Sequence, residues 1–417
     1  MTLSHAEYQS IAAGLRPNGQ AFIDGQFCDA ADGDKFETTN PATGQVLASV
    51  AHCKSADVDR AVAAARRVFN AGTWSRAEPE ERKEVLLKIA ALVRKHAHEL
   101  AVLESLDTGK TINDCMDEIG GDVPNFFQWY AELADKTFGK IAPTGPGALA
   151  LITKEPAGVA GAVLPWNFPL VMAAWKIAPA LAVGCSAVIK PAEQTPLSAL
   201  RLAKLMQEAG VPDGVINIVP GYGETAGQAI GMHNDIDTLA FTGSTEVGRM
   251  FMRYSGDSNL KSVGLELGGK SPFIVLDDAA MNDELIEHAA MAAFWNGGQN
   301  CSANMRQLIA APLVEEFTGR ILERVKGFTL GDPLDPATDI GSMITKDHKT
   351  MVMEHIQSGL TEGAQMLTGG GSDLPGYFIE PTVFQNVTPD MKIAREEIFG
   401  PVLSVIRVKT FEEATKL

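Results

Sequence analysis

Short apolar runs alternate with amphipathic segments along most of the chain, and this alternation predicts strands joined by helices. After Gly158, runs that are apolar throughout predict buried strands at residues 159–164, 186–189, 215–219 and 238–241. The intervening and following segments predict helices at residues 170–183, 197–209, 224–232 and 246–254. Strands without polar alternation are typical of a parallel sheet that helices cover on both faces.

A second alternating series begins near Ser271. It predicts strands at residues 273–276 and 307–311 and helices at residues 285–294 and 314–325. Gly268 and Gly269 separate the two series and mark the predicted domain boundary. The sequence therefore predicts two α/β units in tandem.

The N-terminal part has a different pattern. After a β-like start at residues 21–27, helical spacing of apolar residues predicts helices at residues 57–70 and 80–106. Residues 138–156 are rich in proline and glycine around an apolar segment. This combination predicts a projecting β arm whose apolar residues need a partner surface.

Composition narrows the function classes. The 417 residues are enough for two domains or more, and the formal net charge is −17. Such a chain repels phosphate backbones and anionic lipids, so neither nucleic acid nor a membrane is predicted as a partner. Lys176, Pro179 and Gly184 interrupt the longest apolar stretch, which argues against a membrane span. The N-terminus lacks a signal-peptide pattern, and a cytoplasmic location is predicted.

The cysteines point to one candidate nucleophile. Five cysteines lie far apart without metal-ligand spacing, so neither a disulfide framework nor a metal site is predicted. Cys301 follows an apolar helix and the glycines Gly297 and Gly298, where backbone N–H groups could face a developing oxyanion. The alternative is a small buried hydrophobe, which is the interpretation for Cys28 and the other cysteines. Local context does not decide between the two for Cys301.

The segment from Gly264 to Ser271 formally matches a phosphate-binding P-loop, which favours a nucleotide hydrolase. A P-loop requires a helix immediately after its lysine, whereas Pro272 and a strand-like run follow here, so the nucleotide-hydrolase interpretation is disfavoured. The segment also contains Glu266 among apolar residues, a setting that favours a buried general base. A carboxylate satisfied by neighbouring backbone N–H groups is the alternative.

Polar residues follow several predicted strands, at the edge where open α/β sheets bind ligands. Asn167 could donate to an oxyanion or could be a turn residue. Lys190 and Glu193 could bind ribose hydroxyls, and a carboxylate there repels the 2′-phosphate of NADP. Gly243 and Ser244 lead from a strand into a helix and could bind a pyrophosphate.

These segments occur in a characteristic order. They read Pro-Trp-Asn-Phe-Pro at 165–169, Lys-Pro-Ala-Glu at 190–193, Phe-Thr-Gly-Ser at 241–244, Glu-Leu-Gly-Gly-Lys at 266–270, Gly-Gln-Asn-Cys at 298–301 and Glu-Glu-Ile-Phe-Gly-Pro at 396–401. In this order they resemble the NAD(P)-dependent aldehyde dehydrogenase superfamily over nearly the whole chain. Within it the chain is most similar to the bacterial γ-glutamyl-γ-aminobutyraldehyde and related aminoaldehyde dehydrogenases.

The resemblance implies an α/β fold with three parts. A Rossmann-type cofactor domain comprises residues 1–137 and 157–268, a β oligomerisation arm residues 138–156, and a second α/β catalytic domain residues 269–417. It further implies NAD-dependent oxidation of an aldehyde to a carboxylic acid, with NAD preferred over NADP. A homodimer or homotetramer is expected.

The resemblance also assigns roles to individual residues. Cys301 becomes the nucleophile, Asn167 an oxyanion donor and Glu266 the base. Trp166 and Phe168 would border the cofactor and substrate passages. The implied cofactor ligands are Lys190, Glu193, Gly243, Ser244, Glu397 and Phe399, and the implied passage also includes Met172, Trp175 and Trp295.

Substrate choice rests on a weaker signal. Glu118 and Asp122 are one helical turn apart on a predicted helix and could attract an amine-bearing aldehyde. A solvated acidic face is the alternative. Because members of the superfamily extend beyond the position of Leu417, the catalytic domain is expected to be shortened. A cofactor-binding but catalytically defective form is therefore the alternative function.

Overall fold

The computed structural model describes residues 2–417 and begins with a helical layer. The elements up to residue 156 are α1 (His5–Gly14), β1 (Ala21–Ile23), β2 (Gln26–Cys28), β3 (Lys35–Thr39), β4 (Val46–Ala51), α2 (Ser55–Ala71), α3 (Pro79–Lys95), α4 (Ala97–Thr108), α5 (Ile112–Asp117), a π-helical turn (Glu118–Asp122), α6 (Val123–Ala134), β5 (Lys140–Ala142) and β6 (Ala150–Ile152). The single helix predicted over residues 80–106 is wrong, because the chain breaks at His96 into α3 and α4.

A seven-stranded sheet forms the centre of the first half. Its remaining elements are β7 (Val159–Val163), α7 (Pro169–Ala182), β8 (Ser186–Lys190), α8 (Leu197–Ala209), β9 (Ile216–Ile218), a π-helical turn (Gly223–Gly227), α9 (Gln228–Met232), β10 (Thr238–Gly243), α10 (Thr245–Gly256) and β11 (Ser262–Leu267). The strand order is β11-β10-β7-β8-β9-β1-β2, and β7 to β11 are parallel. This is the predicted covered parallel sheet, with an antiparallel hairpin added at one edge.

The burial of β8 explains why its sequence is apolar without alternation. Ala187 and Ile189 face the core beneath α7 and α8, whereas Val188 faces the core beneath α2. Successive side chains of a strand point to opposite faces, and here both faces are covered by helices. Residues 187–189 therefore meet an apolar environment on both faces, and this part of the strand reads as an uninterrupted apolar run.

A second, five-stranded sheet follows. Its elements are β12 (Pro272–Val275), α11 (Asp283–Phe294), a 3₁₀ turn (Trp295–Gly298), β13 (Arg306–Ala310), α12 (Val314–Lys326), α13 (Lys346–Thr361), β14 (Gln365–Gly371), β15 (Ile379–Gln385), α14 (Lys392–Arg395), β16 (Val402–Val408) and α15 (Phe411–Ala414). The strand order is β12-β13-β16-β15-β14, with only β14 antiparallel.

The chain crosses between the sheets at residues 268–271. Strand β11 ends the first sheet at Leu267 and β12 starts the second at Pro272. No helix follows Lys270, so the segment lacks the helix N-terminus that a P-loop requires. This local geometry does not support the nucleotide-hydrolase alternative.

The arm at residues 138–156 forms the antiparallel pair β5 and β6. Its apolar side chains are exposed, namely Phe138, Ile141, Leu149, Leu151 and Ile152. No helix within residues 2–417 is long and apolar enough to cross a bilayer.

Candidate active site

A cavity of about 630 Å³ lies where the carboxyl ends of β7, β8, β10 and β11 face the second sheet. A volume of this size is typical of small-molecule and cofactor sites. Strand β10 lies beside β7 although β8 follows β7 in sequence, so the strand order reverses between β7 and β10. Open α/β sheets bind ligands at such a reversal. The sequence-predicted residues that line the cavity are Trp166, Asn167, Phe168, Met172, Lys190, Glu193, Gly243, Ser244, Glu266, Cys301, Glu397 and Phe399.

Cys301 stands at the end of a strained turn. Helix α11 ends at Phe294, and Asn296, Gly297 and Gly298 then adopt left-handed φ values of 53°, 60° and 72°. At Gly298 a side chain would also collide with the carbonyl oxygen of Gly400, so only glycine fits. The turn delivers Cys301 as an exposed side chain that lines the cavity.

The thiol of Cys301 has a mixed electrostatic environment. Burial raises its pKa above the ordinary value, and the negative charges of Glu397 and Glu266 add to that rise. The backbone N–H groups of Cys301 and Ser302 act in the opposite direction. The buried thiols of Cys53 and Cys185 also have raised pKa values because of burial, and neither lines the cavity. Cys301 alone among the five cysteines is exposed.

Asn167 links the end of β7 to the turn before Cys301. Its side chain is only 4% exposed, and its Nδ2 donates to the carbonyl oxygen of Gln299 at 3.0 Å. The side chain of Gln299 in turn accepts from the backbone N–H of Ile344 at 3.0 Å. A carboxamide nitrogen carries two protons, so Asn167 retains one proton for a ligand in the cavity.

The exposure of Glu266 differs from what the sequence predicts. The side chain is exposed, so the expectation of a buried carboxylate was wrong. Strand β11 is the edge strand of its sheet, with β10 as its one neighbour there. Its residues alternate between exposed and half-buried, and Glu266 is on the exposed side that lines the cavity.

Lys176, which no sequence pattern indicated, supports the site from behind a residue that lines the cavity. Its Nζ donates to Thr242 Oγ1 at 2.6 Å, and Thr242 pairs with Glu266 across β10 and β11. Burial lowers the pKa of Lys176 to about 8, although the charge of Glu266 partly opposes this. The available signal is a lysine inside an otherwise apolar segment, which in sequence argues equally for an apolar stretch that does not span a membrane.

At the other end of the cavity, Lys190 and Glu193 are already paired. The Nζ of Lys190 donates to Glu193 Oε2 and to the carbonyl oxygen of Pro191, both at 2.9 Å. Lys190 is buried, whereas Glu193 is half-buried and reaches the cavity. Glu224 lines the same end, so two carboxylates lie there.

Ser244 has a structural contact of its own. It is the N-cap of α10, and its Oγ accepts from the backbone N–H of Val247 at 3.2 Å. Gly243 and Ser244 thereby place the N-terminus of a 12-residue helix at the cavity. A helix N-terminus attracts anionic groups through its free N–H groups and its dipole.

The second sheet contributes Glu397 and Phe399. The Glu397 carboxylate accepts from the backbone N–H of Gly269 at 3.2 Å, and burial raises its pKa. Phe399 packs edge-on against Trp166, with ring centroids 5.3 Å apart. His348, which no sequence pattern indicated, lies with Nε2 2.6 Å from the carbonyl oxygen of Phe399, and burial lowers its pKa.

The predicted substrate passage is only partly continuous with this cavity. Phe168 and Met172 line it, whereas Trp175, Trp295 and Asp122 do not. Trp175 is 44% exposed and packs edge-on against Phe126, and Trp295 packs against Phe168 at 5.3 Å. A passage role for these residues stays a prediction.

Glu118 is not part of a solvated acidic face. It is buried, and its carboxylate accepts from Lys110 Nζ at 2.7 and 2.8 Å. The interpretation of Glu118 and Asp122 as neighbouring exposed charges was therefore wrong for Glu118. A π-helical turn spans residues 118–122, so the spacing also departs from an α-helix.

Comparison with known proteins gives one consistent family. The sequence model of the aldehyde dehydrogenase family matches residues 27–417. An aminoacetaldehyde dehydrogenase of Pseudomonas aeruginosa is 48% identical over 415 residues, which cover 100% of this chain and 84% of that protein. The NADP/NAD-dependent aldehyde dehydrogenase PuuC of Escherichia coli is 45% identical over 419 residues, with the same coverage of 100% and 84%.

Solved structures agree with the sequence relatives. The aldehyde dehydrogenase KauB of Pseudomonas aeruginosa matches with a TM-score of 0.98 at 44% identity, covering 100% of this chain and 84% of that one. A γ-glutamyl-γ-aminobutyraldehyde dehydrogenase of Burkholderia cenocepacia matches at 0.97 and 46%, covering 99% and 84%. The NAD⁺ complex of an aldehyde dehydrogenase of Bacillus cereus matches at 0.95 and 43%, covering 98% and 83%.

Proposed function

The chain belongs to the aldehyde dehydrogenase family, whose members oxidise aldehydes to carboxylic acids. From this premise we propose that it oxidises ω-amino or γ-glutamylamino aldehydes and uses NAD in preference to NADP. One observation carries the proposed oxidation chemistry. Cys301, Asn167 and Glu266 line a single cavity that extends to the carboxyl ends of the parallel strands.

The proposed reaction starts at Cys301. Its thiolate attacks the aldehyde carbonyl carbon, and the free Nδ2 proton of Asn167 and the backbone N–H of Cys301 donate to the oxyanion that forms. A bound NAD would supply the hydride acceptor that this oxidation requires. Cys301 then carries a thioester, and Glu266 removes a proton from the water that hydrolyses it. The exposure of Glu266 supports this role, because a base for hydrolysis must reach water.

The residues at the strand ends fit an NAD molecule. In our proposal Lys190 and Glu193 bind the adenosine ribose, and Gly243 and Ser244 bind the pyrophosphate at the start of α10. Glu397 binds the nicotinamide ribose, with Phe399 and Trp166 packed beside it. The half-buried carboxylate of Glu193 repels a 2′-phosphate, and Glu224 adds a second negative charge. Because PuuC is named as NADP/NAD-dependent, the preference is a quantity to measure.

Support for an amine-bearing substrate comes from the names of the relatives and from the charge of the chain. Two of the similar proteins are named for aminoaldehyde substrates. Asp122 lies near Asp117, although burial, followed by that neighbouring charge, raises the pKa of Asp122 and so disfavours its anionic form. A net charge of −17 also favours approach of a cationic aldehyde. We propose that Asp122, with Trp175 and Trp295, borders its path.

We also propose how the chain is divided into domains, how it assembles and where it acts. Residues 1–137 and 157–268 form the dinucleotide-binding domain, residues 269–417 the catalytic domain, and the β5–β6 arm the oligomerisation element. Its exposed apolar side chains would be covered in a homodimer or homotetramer. We further propose that the protein acts in the cytoplasm.

The test is a kcat/KM panel with each cofactor. The purified chain is supplied with NAD or NADP and with 3-aminopropanal, γ-glutamylaminobutyraldehyde, hexanal or benzaldehyde, and reduced cofactor is followed. We expect the highest kcat/KM for an amine-bearing aldehyde with NAD. Equal or better use of hexanal or benzaldehyde would overturn the substrate assignment, and absence of turnover with all of them would overturn the activity.

A further inference from the structure

Four ionisable side chains lie behind Phe168 in the wall of the cavity, three of them buried and Asp114 half-buried. They are Glu104, Lys110, Asp114 and Glu118, named here the buried charge cluster, and they come from α4, α5 and the turns that flank α5. The Lys110 side chain is 0% exposed and that of Glu118 is 2% exposed. Buried charges cost several kcal/mol each unless they are well paired, so the role of this cluster requires an explanation.

The cluster contacts the loop that carries Asn167. The Nζ of Lys110 lies 4.0 Å from the ring centroid of Phe168, the residue after Asn167. The backbone N–H of Leu170, in the first turn of α7, donates to Glu104 Oε2 at 3.1 Å. A cation over an aromatic face and a carboxylate at a helix N-terminus both fix orientation. The loop is therefore fixed through a side chain and through its backbone.

The same cluster contacts the turn that leads to Cys301. The indole Nε1 of Trp295 donates to Asp114 Oδ1 at 3.1 Å, and Trp295 is the first residue of that turn. The rings of Trp295 and Phe168 also pack on one another, with centroids 5.3 Å apart. Asn167 completes the connection through its bond to the carbonyl oxygen of Gln299. Both catalytic loops thus rest on one set of buried charges.

Lys110 is the centre of this arrangement. Burial lowers its pKa, but the charges of Glu118 and its other acidic neighbours outweigh that, and the net pKa lies above the ordinary value. It therefore stays an ammonium ion. Both of its side-chain hydrogen bonds go to Glu118, which acts as its counter-ion.

We propose that Lys110 is a positioning residue for this enzyme, whose ammonium over Phe168, balanced by Glu118, orients Asn167 relative to Cys301. The inference rests on the proposed catalytic roles of Asn167 and Cys301. It goes beyond them because Lys110 touches neither the cavity nor the reacting atoms. A misplacement of about 1 Å in such a donor can cost about 100-fold in rate.

The test separates positioning from stability. Lys110→Met alone leaves Glu118 buried and unpaired, which destabilises the fold whatever Lys110 does. The double variant Lys110→Met/Glu118→Leu removes both partners and leaves a pair of apolar side chains of similar volume. Lys88→Met, on the exposed side of α3, is the matched control.

Because Glu104 and Asp114 also lose the Lys110 charge, we expect for the double variant a melting temperature above that of Lys110→Met but below wild type. Its kcat should fall about 10- to 100-fold and its KM for NAD should stay within about 2-fold. The indole N–H resonance of Trp295, assigned with Trp295→Phe, should shift in the double variant and stay in place in Lys88→Met. A double variant with wild-type kcat would overturn the proposal. If wild type itself oxidises no aldehyde, the proposed function fails, and an unshifted Trp295 resonance would then overturn the positioning role independently.

Discussion

The two ends of the cavity differ in how their polar groups are arranged. At the end where we propose that the cofactor binds, Lys190 is hydrogen-bonded to Glu193, and Ser244 caps α10. At the other end, Cys301 and Glu266 are exposed side chains on a turn and on an edge strand. Side chains that only bind a ligand can already be hydrogen-bonded to one another, because the ligand adds its own hydrogen bonds to those that exist. Groups that react must stay accessible to the aldehyde and to water.

Substitution of the proposed nucleophile should therefore abolish turnover and leave the binding of NAD unchanged. For Cys301→Ala we expect reduced-cofactor formation to fall by about 10⁴-fold or more, because the proposed nucleophile is lost. The affinity for NAD, measured by titration calorimetry, should stay within about 2-fold. Cys28→Ala is the control, since Cys28 is half-buried and outside the cavity. Retained turnover in Cys301→Ala would contradict the assignment.

Glu266 should separate the two half-reactions. In Glu266→Gln the first oxidation still occurs, because Cys301 and Asn167 remain, whereas hydrolysis of the thioester slows. We expect a burst of about one NADH per active site in stopped flow, followed by a steady rate about 100- to 1000-fold below wild type. The exposed Glu208→Gln on α8 serves as the control. Absence of a burst would exclude a role restricted to hydrolysis.

A substitution at Glu193, in the proposed cofactor-binding end, should alter the preference between NAD and NADP more than it alters kcat. Glu193→Gln keeps an oxygen acceptor for Lys190 Nζ and removes the charge that we propose repels a 2′-phosphate. The ratio of kcat/KM for NADP to that for NAD should rise about 10-fold or more, since juxtaposed like charges cost several kcal/mol. Glu224→Gln should give a smaller rise. An unchanged ratio in Glu193→Gln would place the discrimination elsewhere.

The electrostatics of the reactive end predict a pH shift. Burial, Glu397 and Glu266 all raise the pKa of Cys301, so the thiolate fraction should increase as pH rises above neutrality. Glu397→Gln removes one negative charge, so the pKa should fall and the alkylation rate of Cys301 by iodoacetamide should rise at lower pH. The rate in Cys301→Ala is subtracted as background. A profile that moves to higher pH would contradict the sign of this interaction.

The strands and the strand-end motifs could be predicted from the sequence, because both leave local signals. The predicted helix at residues 197–209 coincides with α8, and the apolar run at 186–189 falls within β8. Lys190, Asn167 and Gly243 follow such runs, so topology alone brings them to one edge of the sheet.

The exposure of Glu266 and the burial of Lys110 and Glu118 could not be predicted, because they depend on contacts between segments that are far apart in the sequence. The exposure of Glu266 follows from the edge position of β11, and strand order cannot be read from a single strand. Lys110 and Glu118 look like solvated surface residues in sequence, yet both are buried. Their burial becomes visible only once α5 and its flanking turns pack behind the loop of Asn167.

Substitutions of Ser244 should have the smallest effect. They test whether a residue at the proposed cofactor end both caps a helix and binds the cofactor. Ser244→Ala removes the N-cap of α10, which should cost about 1 kcal/mol and lower the melting temperature by about 2–4 °C. Ser244→Asp keeps a cap but places a negative charge at the proposed pyrophosphate site. If Ser244 both caps and binds, the Asp variant should retain the wild-type melting temperature while its KM for NAD rises several-fold. Equal KM values for wild type and the Asp variant would mean that Ser244 serves the helix alone.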